Sequence, residues 1–159
     1  MSRITKNILG ITHLYADGHC IPKLGAKGYG RVTDQNGLSL MSFFDLTDYK
    51  CAKIDTPKGC LDAVEVYSED TPNQQINYAE IVALHLALRI ALSEDIKTIC
   101  IDSVTSNAWS SGRIAKSIAD PQKIKICQES VKYRREFEKN GGKVLKISGD
   151  ENPADFGLH

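Results

Sequence analysis

The stretch NYAEIVALHLALRIALSEDIKTICID, residues 77–102, decides the fold. Ile81, Leu84, Leu88 and Ala91 fall on one helical stripe, and Val82 and Leu86 widen it, so the spacing predicts a helix over Tyr78–Leu92 buried on a broad face. Thr98–Ile101 is short and continuously apolar, the pattern of a strand covered on both faces of a sheet. From Glu80 to Ser93 the helix travels ~20 Å at about 1.5 Å per residue. From Ile96 to Asp102 the strand returns about 20 Å at ~3.3 Å per residue. The chain goes out and comes back, so Asp102 finishes level with Glu80, which this reading puts in the first turn of the helix.

Working outward, residues 8–16 (ILGITHLYA) are rich in β-branched and aromatic types and predict a strand ending at the Asp17-Gly18 turn signal. Residues 28–34 and 38–46 flank Gln35-Asn36-Gly37, and Asn-Gly between two such runs predicts a hairpin. Residues 47–62 are polar, carry Pro57 and Gly59, and read as an irregular excursion, a possible insertion; 63–68 (AVEVYS) read as a short strand. Beyond Asp102, Ser103 or Thr105 is expected to cap a helix through Ala108 and Trp109, with Gly112 as its stop. Pro121 opens a third helix, carrying Ile124, Cys127 and Val131 on one stripe and Ile126, Tyr133 and Phe137 on the next. Asn140-Gly141-Gly142 ends it and 143–147 (KVLKI) form a last strand. This order predicts an α/β fold with a mixed sheet.

At 159 residues the chain is expected to be one domain spanning 1–159. Hydrophobic residues make up 42% and charged ones 25%, an ordinary globular balance that excludes disordered, collagen-like and disulfide-scaffold chains. The apolar run Ile81–Leu92, broken by His85 and Arg89, is shorter than the roughly 20 residues of a membrane span, and the first residues lack the apolar core of a secretory signal. No membrane partner is expected. Twenty basic residues balance twenty acidic ones, so any contact with nucleic acid must come from a local patch. Five cysteines, an odd number without a C-x-x-C pair, argue against structural zinc and for free thiols, hence an intracellular (cytoplasmic or nuclear) protein.

If the first strand and Thr98–Ile101 are parallel neighbours, Asp17 and Asp102 both lie at carboxyl ends of adjacent strands, where open α/β sheets place their sites. Singly, Asp17 reads as a turn residue, Glu80 as a capping-region carboxylate and Asp102 as a helix cap. Together, three converging carboxylates with no obvious Lys or Arg partner would repel one another. A divalent cation relieves that, and oxygen-only ligands suit Mg²⁺ or Mn²⁺ better than zinc.

These residues resemble the type 1 ribonuclease H family. Tyr15-Ala16-Asp17-Gly18-His19-Cys20 looks like its first-strand motif, and Gly28-Tyr29-Gly30 like its second-strand entry. Asn77-Tyr78-Ala79-Glu80 is similar to its Asn-x-x-Glu helix start, Ile101-Asp102-Ser103 to its Asp-Ser strand end, and Asn152-Pro153-Ala154-Asp155 to its last acidic element. The resemblance implies a ribonuclease H-like fold, a five-stranded mixed sheet flanked by helices. It implies that Asp17, Glu80, Asp102 and Asp155 are catalytic and hold two Mg²⁺ (or Mn²⁺) ions. It further implies hydrolysis of the RNA strand of an RNA–DNA hybrid, with Asn77, Gly18 and Cys20 against the substrate. The chain departs from the family in segment 47–62, in the few residues after Asp155, and in having Ser148-Gly149-Asp150-Glu151 where many members carry a histidine. In that last respect it is closest to His-lacking and retroelement-type members.

Lys123, Lys125, Lys132, Arg134, Arg135 and Lys139 make the third helix basic. It reads either as a solvated face or as a phosphate-tracking patch centred on Lys132, Arg134 and Arg135. His13 reads as packing or surface, His19 as a turn residue, His85 as a satisfied core histidine and Trp109 as core. His159 would approach the site only if Phe156 and Leu158 anchor the tail. Two other functions remain open: another nuclease or integrase-like enzyme on this fold, and a non-catalytic binding or assembly module.

Overall fold

In the computed structural model, which describes residues 10–21, 27–41, 46–69 and 75–157, six strands form one mixed sheet. They are β1 (Leu14–Ile21), β2 (Lys27–Thr33), β3 (Cys51–Thr56), β4 (Gly59–Val66), β5 (Thr98–Ile101) and β6 (Lys143–Lys146), in the order β3-β4-β2-β1-β5-β6. β1 pairs antiparallel with β2 and parallel with β5; β5 pairs parallel with β6. Three helices accompany the sheet: α1 (Gln75–Glu94), α2 (Val104–Ser110) and α3 (Pro121–Lys139). The expected α/β class with a mixed, helix-flanked sheet is what the chain adopts. The sixth strand comes from segment 47–62, which is not irregular: β3 and the start of β4 are a hairpin turning at Pro57-Lys58, with Gly59 at φ +104°.

α1 rests on a floor of glycines. Gly18 of β1 pairs with Gly30 of β2. A Cβ at Gly18 would lie 2.4 Å from the Glu80 nitrogen, and one at Gly30 would lie 2.8 Å from the Ala79 carbonyl. Any side chain there would lift the helix off the strands. This explains why Asp17-Gly18, locally a turn signal, is instead the middle of a strand running on to Ile21. The glycine serves the helix above it.

α1 begins earlier than the apolar stripe suggests, at Gln75, whose side chain is hydrogen-bonded both ways to Ser68, two residues past β4. Its Oε1 accepts from the Ser68 N–H (2.9 Å) and its Nε2 donates to the Ser68 carbonyl (2.7 Å). Glu80 therefore stands in the second turn rather than the first. At 20 residues α1 also exceeds the apolar run read from the sequence, and by length and composition it would suit a bilayer. Here it is enclosed, with Ala83, Leu84, Ala87 and Leu88 fully buried, packed on β1 and β2 from one side and on α2 and α3 from the other.

Local capping chemistry sets the other helix ends. The Ser103 side chain accepts from Ser106 N at the start of α2, Gly112 (φ +101°) follows its end, and Asp120 caps α3 ahead of Pro121. The Asn36-Gly37 turn also forms, with Asp34 Oδ1 accepting from the N–H groups of Asn36 and Leu38 (both 2.9 Å). Its second arm is not a regular strand among the described residues. Ser39 makes a single bridge to Thr33, and Leu40 and Met41 turn into the core, so β2 takes β4 as its partner. Residues 8–9 and 42–45 of the predicted strands lie outside the described residues. A second, smaller apolar cluster joins Ile21, Tyr29, Ile54, Ala63 and Phe156.

Candidate metal centre

The parallel register Ala16↔Ile101 makes Asp17 and Asp102 neighbours one residue further on. The glycine floor lowers Glu80 onto the same spot. One carboxylate oxygen from each of Asp17, Glu80 and Asp102 lies within 4.8 Å of the others. Asp17 is 6% exposed and Glu80 9%. Two neutral donors set the carboxylates' directions: the Gly18 N–H donates to Glu80 Oε1, and Asn152 Nδ2 donates to Asp102 Oδ2 (3.2 Å) while also reaching the Ala16 carbonyl (3.0 Å).

Burial first, and then the charge of Asp102, push the Asp17 carboxyl up to about 7. Burial and the charges of Asp17 and Asp102 raise Glu80 well above the carboxylate range. Two buried acids and the half-buried Asp102, converging and offering oxygen ligands alone, suit a hard dication, which supplies the missing positive charge. The residues fit Mg²⁺ or Mn²⁺.

Asp155 lies in the C-terminal segment, outside that 4.8 Å group. Its Oδ2 accepts from Gly157 N (3.0 Å) and stands 4.0 Å from Lys58 Nζ, while its charge adds to the upward push on Asp17. The expectation that no Lys or Arg attends the carboxylates is corrected by Arg31. It is the cross-strand partner of Asp17, 3% exposed, and is held beside Asp17 and Asp155. Directly opposed residues project to one face of a sheet. Matching Gly18 to Gly30 would have aligned Asp17 with Arg31; Lys58, in a segment read as irregular, left no comparable signal.

Of the expected substrate contacts, Gly18 is buried under α1, Cys20 is half-buried in β1, and Asn77 is half-buried in the first turn of α1. On α3, Lys132 and Arg135 are exposed. Arg134 is not a free phosphate ligand: its Nη1 donates to the Asn107 carbonyl (3.1 Å), Asn107 Oδ1 (2.7 Å) and Ser110 Oγ (2.8 Å), tying α3 to α2. Lys123 is not on a solvated face either. It is fully buried, its Nζ 5.6 Å from the Tyr78 ring and 5.7 Å from the Trp109 ring. Trp109 is core, and His85 is a satisfied core histidine, as expected. His19 sits in β1 rather than in a turn, stacked on Phe156 at 6.0 Å. Phe156 is fully buried, while Leu158 and His159 lie outside the described residues.

No protein-family model matches this sequence, and no curated protein matches it. Among solved structures, the chain is similar to a ribonuclease H1 isolated from compost by a metagenomic approach (16% identity, 88% of this chain and 86% of that one, TM-score 0.46). It is similar also to that ribonuclease H1 in complex with an RNA/DNA hybrid (17%, 88% and 87%, TM-score 0.47). A third is the N-terminal ribonuclease H domain of a Mycobacterium tuberculosis protein, solved as a fusion with maltose-binding protein (14%, 89% and 86%, TM-score 0.46). At these scores the reading of the site rests on the geometry of this chain.

Proposed function

We propose that this protein is a metal-dependent endoribonuclease that hydrolyses the RNA strand of RNA–DNA hybrids with two divalent ions. The observation that carries the reading is the convergence of Asp17, Glu80 and Asp102 where the parallel pairing of β1 and β5 ends, with Asp17 and Glu80 buried, Asp102 half-buried, and the group short of positive charge. The order of acidic motifs that the sequence shares with the ribonuclease H family points the same way. Paired Mg²⁺ or Mn²⁺ ions supply an activated water and stabilise the leaving oxygen of a phosphoryl displacement.

The chain's own residues hold the ligands still. The Gly18 N–H orients Glu80, Asn152 orients Asp102, and strand register sets Asp17 beside Asp102. Asp155 contributes the fourth carboxylate from the C-terminal segment. On this reading Asn77, one turn of α1 before Glu80, meets a substrate strand and reads its 2′-hydroxyl, the group that separates RNA from DNA. Cys20, half-buried in β1, borders that strand, and Lys132 and Arg135 track phosphates further out. Five free cysteines suit a reducing, intracellular setting.

The test is cleavage of an end-labelled RNA–DNA hybrid beside double-stranded RNA, double-stranded DNA and single strands, with Mg²⁺ and with EDTA. Metal-dependent cleavage of the RNA strand of the hybrid alone is expected. Cleavage of DNA duplex instead moves the protein to the integrase-like reading, and binding without cleavage of any substrate makes it a non-catalytic module.

A further inference from the structure

Two cations, one from a strand and one from a hairpin turn, converge on a single peptide oxygen. Lys58, in the turn of the β3–β4 hairpin, donates from Nζ to the Asp155 carbonyl at 2.6 Å. Arg31, from β2, donates from Nη1 to the same oxygen at 3.2 Å. A carbonyl oxygen has two lone pairs, and both are taken by charged donors, the stronger kind of hydrogen bond. Arg31 is buried, its guanidinium 5.8 Å from the centre of the Phe156 ring, and its Nε is buried with no partner among the described residues. A buried guanidinium is costly to keep, all the more with one N–H unused. Attaching the C-terminal segment does not demand it. Phe156 already seats that segment, and Asn152 pins its other end to the Ala16 carbonyl and Asp102. Between those two anchors lies Asp155, and its peptide is the one the two cations grip.

We propose that Arg31 and Lys58 are positioning residues that clamp the Asp155 backbone and so keep its carboxylate beside Asp17, with the β3–β4 hairpin serving as the arm that carries Lys58. The inference rests on the metal-dependent hydrolase reading, with Asp155 as its fourth carboxylate. Arg31 belongs to the clamp by register as well as by hydrogen bond, because it stands opposite Asp17 and touches the Asp155 peptide at once. The hairpin, which the sequence left without a purpose, acquires one: its turn brings a cation to the Asp155 peptide.

The experiment compares the full chain with Lys58→Ala, Lys58→Arg, Asp155→Asn and the double variant Lys58→Ala/Asp155→Asn. Each is measured for kcat and KM on a labelled hybrid, for Mn²⁺ binding by calorimetry, and for Tm. Lys58 is a half-exposed side chain (43%), so Lys58→Ala is expected to fold. It should lower kcat and weaken Mn²⁺ binding by about 10-fold, the scale of outer-shell partners of metal ligands. KM should stay within about 2-fold. Lys58→Arg should recover most of the loss. In the Asp155→Asn background Lys58→Ala should change nothing more, because the lysine acts through that carboxylate. Unchanged kcat and Mn²⁺ affinity in Lys58→Ala, or an effect that adds fully to Asp155→Asn, overturns the clamp while leaving the hydrolase reading intact. A wild-type chain that neither binds Mn²⁺ nor cleaves hybrid overturns both.

Discussion

At Glu80, α1 meets Asp17 and Asp102; about a turn and a half further along the same helix, His85 meets Tyr49 and Glu129. Both groups are buried and polar, and they are built in opposite ways. His85 Nδ1 is 2.8 Å from the Tyr49 hydroxyl and its Nε2 is 2.9 Å from Glu129 Oε1. Arg89 closes the outer side, 3.0 Å from Asp48 and 3.2 Å from the Tyr49 hydroxyl. Both ring nitrogens of His85 and the Tyr49 hydroxyl have partners there. The acidic group has three carboxylates against one backbone N–H and one side-chain amide, with Arg31 at its flank. The lesson is electrostatic: the histidine network is complete within the chain, and the carboxylates become complete only with a cation.

The largest expected effect tests that difference directly. Asp102→Asn keeps the shape and removes one charge, so hybrid cleavage should fall by several orders of magnitude. In EDTA the Tm should hold or rise slightly, since like-charge repulsion is relieved. An active Asp102→Asn variant would end the metal-site assignment.

Next comes pH. Asp17 and Glu80 are raised above their unfolded values, so between about pH 4 and pH 7 the native state binds more protons than the unfolded one, and metal-free stability falls as pH rises through that window. Mg²⁺ should counter this, stabilising by about 2.7 kcal/mol at 100 times its Kd. The Tm gain from Mg²⁺ should therefore be larger at pH 8 than at pH 5. An equal gain at both would mean that the cation does not answer those charges.

The histidine network should behave in the opposite sense. Tyr49→Phe removes the donor to a buried ring nitrogen and should cost roughly 1–3 kcal/mol, measured by urea unfolding, with cleavage unaltered. Burial lowers the pKa of His85, so its contribution is present above the unfolded value of about 6.5 and is lost as pH falls below it. Loss of activity in Tyr49→Phe without loss of stability would erase the contrast between the two clusters. The smallest effect belongs to α3. Replacing exposed Lys132 and Arg135 by Ala should flatten the slope of log K for hybrid against log salt by up to ~2. Arg134→Ala should chiefly loosen α2 from α3, shown as a lower Tm.

Much of the fold was legible in local windows. The stripe of Ile81, Leu84 and Leu88 marked α1, the apolar run Thr98–Ile101 matched β5 residue for residue, and Pro121 and Asn140-Gly141 bracketed α3. That Asp102 finishes level with Glu80 was legible too, because helix rise and strand rise settle how far the chain returns; that Asp17 joins them followed only if β1 and β5 were parallel neighbours, which they are. The β3–β4 hairpin was not. Pro57 and Gly59 there serve a tight turn, and the flanking polar residues belong to an edge strand, whose solvent side needs no apolar alternation.

Periodicity, capping residues and rise per residue are properties of neighbours along the chain, and from them the sequence specified the helices, β5 and the common level of Glu80 and Asp102. Other features depend on which strands lie side by side and in what register. Arg31 faces Asp17 because Gly18 must pair with Gly30 beneath α1. Lys58 reaches Asp155 because β3 and β4 fold back on each other. Lys123 is buried because Tyr78 and Trp109 close over it. Those contacts join residues far apart in the chain, where no local pattern carries information, and packing alone determines them.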